Sequence, residues 1–341
     1  MTDLLVLRKG AEPPAPAGAR VMARVRLDDD TRWPDLRPVE GASACSVLHF
    51  PSAAAADAYA PGGDARVYRV ERSSYPSAFL GAAAVLTAVL GALLGALAYR
   101  ERGWRAGCAG AGAAALVALV VHLVRATREQ IPRGSLAYLM LLLLAVTSTL
   151  FLLGASLLDR LNAWTVGGLC VALVAVAAYA AVCVRRVGQR TAAFDGRAGR
   201  LRRELGRLSP EAWPTVGEID VARRGNLRAP MAVVTCNTRR KCARYEPATE
   251  KCVSGEEAYD GRYANGLIMD LLWQGTDFVY IGGKCTPRDR AGPGWEDLSV
   301  IRYPERRGAL AFWDSDTYWA AAPHRTAGLK RAWWAVGAPR D

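Results

Sequence analysis

The sequence predicts a membrane all-α fold class: a four-helix transmembrane bundle with a small α+β N-terminal domain and a β-rich α+β C-terminal domain. Three observations carry this expectation. Four long apolar runs crowd into residues 78–184, charged residues stand at their boundaries, and the flanking segments read as strands and short helices.

A helix needs about 20 apolar residues to cross some 30 Å of hydrocarbon. The runs 78–99, 107–124, 136–158 and 163–184 meet that length, and none contains Asp, Glu, Lys or Arg. Arg100, Glu101, Arg105, Arg125, Arg128, Arg133, Asp159, Arg160, Arg185 and Arg186 stand at their ends, and Tyr75, Tyr99, Trp104, Tyr138 and Trp164 fit interfacial anchors. Arginine is denser on the side shared by both termini, which predicts N- and C-termini in the cytosol. The first 77 residues hold no signal-peptide run, and no N-x-[ST] sequon is present.

The bundle itself offers little chemistry. His122 sits three residues before Arg125 and reads as a headgroup-level residue, and Thr147, Ser148 and Thr149 read as interhelical glue. The GxxxG of Gly91 and Gly95 and the glycines and alanines of the second and fourth runs leave room for self-association into a homo-oligomer.

Charge points to a lipid partner. The net charge is +12, and 39 of the 44 basic residues are Arg. Residues 1–77 are balanced at ten basic against ten acidic, whereas the juxtamembrane segment 185–208 carries eight basic against two acidic. Arg185, Arg186, Arg190, Arg197, Arg200, Arg202, Arg203 and Arg207 are therefore expected to face anionic headgroups. A nucleic-acid binder would spread its basic face over a folded domain, so no nucleic-acid partner is expected.

Residues 1–77 read as a small mixed domain. Strands are expected at 4–7, 19–27, 46–50 and 65–71, with an Ala-rich helix begun by Pro51-Ser52 and capped by Ser52. His49 reads as a packing residue. Residues 189–208 fit either a basic helix, with Leu201, Leu205 and Leu208 on one side, or two strands around a turn at Asp195-Gly196.

Within 209–341, β-like runs fall at 218–222, 231–236, 278–281, 299–303 and 309–313, with a helix at 263–273. Seven of the ten Trp lie in 187–341, enough aromatic bulk for a core. Cys236, Cys242, Cys252 and Cys285 leave disulfides, zinc and unlinked thiols open as readings, because no pair has the two-to-four-residue spacing of a zinc knuckle.

No catalytic, cofactor-binding or metal-binding set is expected. Gly282-Gly283-Lys284-Cys285 lacks the first glycine and the Ser/Thr of a P-loop, and HExxH, GxSxG and GxGxxG are missing. Cys285 with His324 could make a thiol–imidazole pair, as could any cysteine and histidine in one domain. Asp314-Ser315-Asp316 reads as a turn. The function expected is that of a polytopic integral membrane scaffold or assembly factor acting through cytosolic domains. The alternatives are a viral envelope or cell-surface membrane protein with disulfide-bonded exposed domains, and a membrane-tethered enzyme.

Overall fold

A computed structural model describes residues 2–9, 15–27, 43–61, 65–72, 178–179, 181–246, 252–288 and 294–340. The chain divides into two compact units, 1–73 with 187–341, and 74–186.

The first unit is built on eight antiparallel strands: β1 (Thr2–Lys9), β2 (Arg20–Leu27), β3 (Ser43–Phe50), β4 (Ala65–Arg72), β5 (Met231–Arg239), β6 (Asp277–Pro287), β7 (Asp297–Tyr303) and β8 (Leu329–Pro339). They close into a barrel in the order β1-β3-β2-β8-β5-β7-β6-β4. The two sequence halves follow one plan. β1 to β4 lie in the order β4-β1-β3-β2, and β5 to β8 in the order β8-β5-β7-β6. Each is the strand order of a split βαβ unit. The halves join edge to edge, β2 on β8 and β4 on β6.

Helices cover the outside of the second half. They are α3 (Gly199–Leu205), α4 (Val216–Arg224), a π-helix (Glu257–Ala264), α5 (Asn265–Trp273), α6 (Arg306–Trp313) and α7 (Asp316–Gly328). α1 (Ala53–Ala58) lies in the first half, and α2 comprises residues 181–193. Three cores result. Leu5, Val47, Tyr68, Val234, Leu298 and Trp333 fill the barrel interior, as side chains do in a barrel of this strand number. Met231, Val233, Tyr303 and Trp334 face outward beneath the helices. Leu4, Val6, Leu48 and Phe50 pack under α1. Burial on both faces explains why β1 and β5 are continuous apolar runs rather than alternating ones.

Both seams need a residue without a side chain. A Cβ on Gly337 would strike the Arg26 carbonyl across β2–β8. One on Gly282 would strike Val70 and Tyr280 at β4–β6.

The structure overturns the all-α transmembrane fold class. No helix among the described residues is long and apolar enough to cross a membrane, and the scaffold is an antiparallel eight-stranded sheet with helices packed on it. The expected polytopic membrane protein, its multi-pass localisation and its envelope and tethered-enzyme variants depended on the spans and are withdrawn with them. The runs 78–99, 107–124 and 136–158, with His122 and Thr147–Thr149, lie outside the described residues. Of 163–184, only 178, 179 and 181–184 are described; residues 181–184 belong to α2, which carries Arg185, Arg186 and Arg190. Run length scores Ala and Gly equally with Leu, Ile, Phe and Val, whose transfer into lipid is the favourable part, which weakens the Ala- and Gly-rich runs 107–124 and 163–184 as a membrane signal.

The terminal segments are likewise halves of one barrel rather than two separate folds, since β2–β8 and β4–β6 pairing joins them. Two expected strands are helices. Residues 218–222 lie in α4, where Thr215 and Glu218 form a reciprocal capping box, and residues 309–313 lie in α6. The helical option for 189–208 is the one adopted, as α2 and α3.

Candidate functional site

The densest polar cluster lies on the outer face of the second half, where β5 ends and β7 begins. β5 sends Ala232, Val234 and Cys236 inward, so Asn237 and Arg239 point outward toward the π-helix. The register places Asn237 opposite Asp297. The π-helix supplies Tyr259 and Asp260. Such helices recur as local distortions at functional sites.

Asn237 is 1% exposed. Its Nδ2 donates to Asp297 Oδ1 at 2.7 Å and to the Tyr259 hydroxyl at 3.2 Å. Arg239 Nη2 donates to Asp260 Oδ1 at 3.0 Å and stands 2.6 Å from Asp297 Oδ2, at an angle that makes an ion pair rather than a hydrogen bond. The Arg239 amide donates to Glu296 Oε2 at 2.8 Å. Three buried atoms complete no hydrogen bond: Asn237 Oδ1, Asp297 Oδ2 and Arg239 Nε.

Burial pushes the Asp297 carboxyl up to about 6, against the pull of Arg239 and the Asn237 amide and with help from Asp260 and Glu296. Burial also raises Asp260, though Arg239 opposes it. The Tyr259 phenol is raised by burial, with nearby Arg325 opposing.

Behind Tyr259 lies a sealed aromatic shell. The Arg325 guanidinium of α7 sits over the rings of Trp213, Tyr263 and Tyr259 at 4.8, 5.6 and 5.8 Å, and donates through Nε and Nη2 to the Ala212 carbonyl. It is 4% exposed, and no carboxylate among the described residues pairs with it. Aromatic faces and one carbonyl take the place of a counter-ion.

The expected site residues scatter. Cys242 and Cys252 form a disulfide in the exposed segment between β5 and the π-helix. Cys236 and Cys285 lie in the barrel interior with Cys45 of the first half. Burial raises the Cys236 thiol well above its ordinary range, and its hydrogen bond with Cys285 adds to the effect. No group of three or more His, Cys, Asp or Glu among the described residues is arranged to hold a metal ion. Cys285 and His324 make no pair, because His324 Nδ1 meets the Tyr245 hydroxyl at 2.9 Å while Cys285 is turned inward.

Six of the eight arginines in 185–208 meet carboxylates of this chain. Arg190 pairs with Asp270 at 2.8 Å, Arg200 with Asp316, Arg202 with Asp220 at 3.1 Å and Arg197 with Asp195 at 3.9 Å. Arg203 and Arg207 flank Glu204 at 3.6 and 3.7 Å. Arg185 and Arg186 are exposed on α2.

A second polar group spans the two halves inside the barrel. Asp3 is buried, its Oδ1 lies 2.6 Å from His49 Nδ1, and its Oδ2 accepts from the Tyr280 hydroxyl at 2.8 Å. His49 and Asp3 belong to the first half and Tyr280 to the second, so this contact helps lock the halves together.

No known protein family matches this chain, and no curated protein matches it. Two solved structures resemble it in part. They are the crystal structure of methylated RPA0582 and that of RPA0582, a protein of unknown function from Rhodopseudomonas palustris. Each is 19% identical with a TM-score of 0.34, and the matches cover 38% and 39% of this chain and 95% and 99% of those chains. At that similarity the comparison adds nothing to the reading of fold or site.

Asn237, Arg239, Tyr259 and Asp297 were not among the expected site residues. The readable signal was the polar Asn237 closing an otherwise apolar strand, together with the Glu296-Asp297 pair immediately before another.

Proposed function

We propose that the outer face of the second half-barrel is a proton-transfer site, in which Asp297 exchanges a proton with a bound small molecule. The support for this is geometric: the Asp297 carboxyl is held on one oxygen by Asn237 and faced on the other by Arg239, and burial pushes it up to about 6. A general acid–base group works best with a pKa near the ambient pH, because it is then both mostly ionised and appreciably basic. Asn237 fixes the plane of the carboxyl, Arg239 stabilises its ionised form, and the Tyr259 ring forms an apolar wall. Clustered burial and charge of this kind mark functional sites more often than ordinary surface.

Two measurements test the proposal. Carbonyl-labelled aspartate in the intact protein is expected to show one carboxyl titrating near 6, and Asp297→Asn is expected to abolish that transition. In a screen of weak carbon and nitrogen acids for exchange with solvent deuterium, wild-type catalysis is expected to fall by about 100-fold or more in the same variant. A carboxyl titrating in the ordinary range, or exchange that Asp297→Asn retains in full, refutes the proposal.

A further inference from the structure

We infer that the extra residue of the π-helix is a positioning device: it turns the neighbours Tyr259 and Asp260 together onto Asn237 and Arg239 of β5. This inference rests on the reading of the site given above and names the element that assembles it.

The register shows where the extra residue lies. Residues 255–273 run as one helix, in which the π segment Glu257–Ala264 leads into α5. Its core-facing side carries Ala258, Tyr263, Leu267 and Leu271, all buried. From Tyr263 onward these residues recur every four positions, as on one face of an α-helix. Ala258 and Tyr263 are five apart. The Asn265 amide donates to the Asp260 carbonyl, also five residues back, and Arg262 Nε donates to Glu257 Oε1 at 3.3 Å with the same spacing. One residue more than an α-helix needs is therefore held between Ala258 and Tyr263.

Both ends of the helix are pinned, so the excess cannot run out along it. At the start, Ser254 Oγ accepts from the Glu257 amide, and the Gly255 amide donates to the Arg240 carbonyl. A Cβ on Gly255 would strike the backbone of Arg240 and Gly328. At the far end Asp270 pairs with Arg190 at 2.8 Å, and Leu267 and Leu271 sit in the core.

An α-helix turns about 100° per residue, and the wider π turn less, so adjacent side chains diverge less. That is the arrangement the site uses. The Tyr259 hydroxyl accepts from Asn237 at 3.2 Å, and its ring lies 5.9 Å from the Arg239 guanidinium. Arg239 in turn donates to Asp260 at 3.0 Å. The charged groups then gathered around Asp297 are Arg239 of β5, Asp260 of the π-helix and Glu296 beside it. Gly261 is the residue that can be spared. It is exposed, and the nearest atoms a Cβ there would meet belong to the flexible Glu257 carboxylate.

The test compares the full chain with a deletion of Gly261 and with Gly261→Ala. Thermal unfolding, the Asn237 side-chain amide resonances and the Asp297 carboxyl titration are followed. The deletion brings Ala258 and Tyr263 to a spacing of four, so cooperative unfolding is expected to survive. The Asn237 resonances are expected to move, and the Asp297 midpoint to fall by about one pH unit or more as Tyr259 and Asp260 turn away. Gly261→Ala keeps the residue count and is expected to match wild type in both. Tyr259→Phe combined with Asp260→Asn leaves the backbone intact and is expected to lower the midpoint as well. A deletion variant that loses cooperative unfolding, or that keeps the wild-type resonances and midpoint, overturns the inference. So does an unchanged midpoint in the double variant. In either case an Asp297 titrating near 6 in wild type leaves the proton-transfer reading standing. A wild-type Asp297 that titrates in the ordinary range ends that reading alone, since the Asn237 resonances still report the positioning.

Discussion

Asp297 carries a stability signature of its own. Burial lifts its folded pKa to about 6, above the ordinary aspartate value of 3.8, so the folded chain holds this proton more tightly than the unfolded chain does. Stability from this group is therefore fully present below pH 3.8 and is lost as pH rises through about 6. The loss amounts to roughly 2–3 kcal/mol. Asp297→Asn removes the titration. Urea unfolding of both proteins between pH 4 and 7 is expected to show the variant gaining on wild type by about that amount as pH rises. A constant difference across that range contradicts the assigned burial. Tyr280 gives a second prediction. Tyr280→Phe removes the hydroxyl that donates to buried Asp3, and is expected to cost about 1–3 kcal/mol in the same assay. At this scale little was legible in advance. Asp3, Asn237 and Asp297 are ordinary letters in the sequence, and only the register that sets Asn237 against Asp297 gives them meaning. That register depends on pairings that no local pattern encodes.

Among the elements, the first-half strands were legible because each is short and bounded by turn residues, and the Ser52 cap of α1 is where the sequence places it. α4 and α6 were misread because their apolar residues are few and fit either period. The signal that decides α4 is the capping box of Thr215 and Glu218. Thr215→Ala is expected to destabilise the protein by about 1 kcal/mol, read as a lowered urea midpoint with an unchanged slope. The disulfide between Cys242 and Cys252 clamps the gap between β5 and the π-helix, the same gap that Arg239–Asp260 and Asn237–Tyr259 cross. Closing so short a loop is worth up to about 3 kcal/mol. Backbone bonds from Ala243 to Val253 and from Gly255 to Arg240 hold part of that loop in any case. Cys242→Ser with Cys252→Ser is therefore expected to cost less than the full amount in thermal unfolding, and wild type in dithiothreitol is expected to behave like the double variant.

For the whole molecule, the barrel draws its strands from residues 2–72 and 231–339, while residues 74–186 form a compact unit of their own. Replacing 74–186 with a flexible linker is expected to leave the barrel's thermal midpoint nearly unchanged. A collapse of cooperative unfolding in that variant contradicts the division. The apolar middle of the sequence dominated every average and drew the reading toward helices. The barrel was hidden because its closure pairs Tyr68 with Pro287 and Leu27 with Gly337, partners that no window of sequence brings together.

Those two seams also impose an order on birth. A ribosome delivers β1 to β4 first, and their sheet emerges with β2 and β4 as bare edges. Bare edges recruit whatever strand is near, including those of another nascent chain. Here they stay open while residues 73–276 are synthesised before β6 can cover β4, and until residue 337 before β8 covers β2. The glycine at each seam makes the late docking intolerant of a substitute, so the chain spends its most vulnerable interval waiting for two residues that have no side chain.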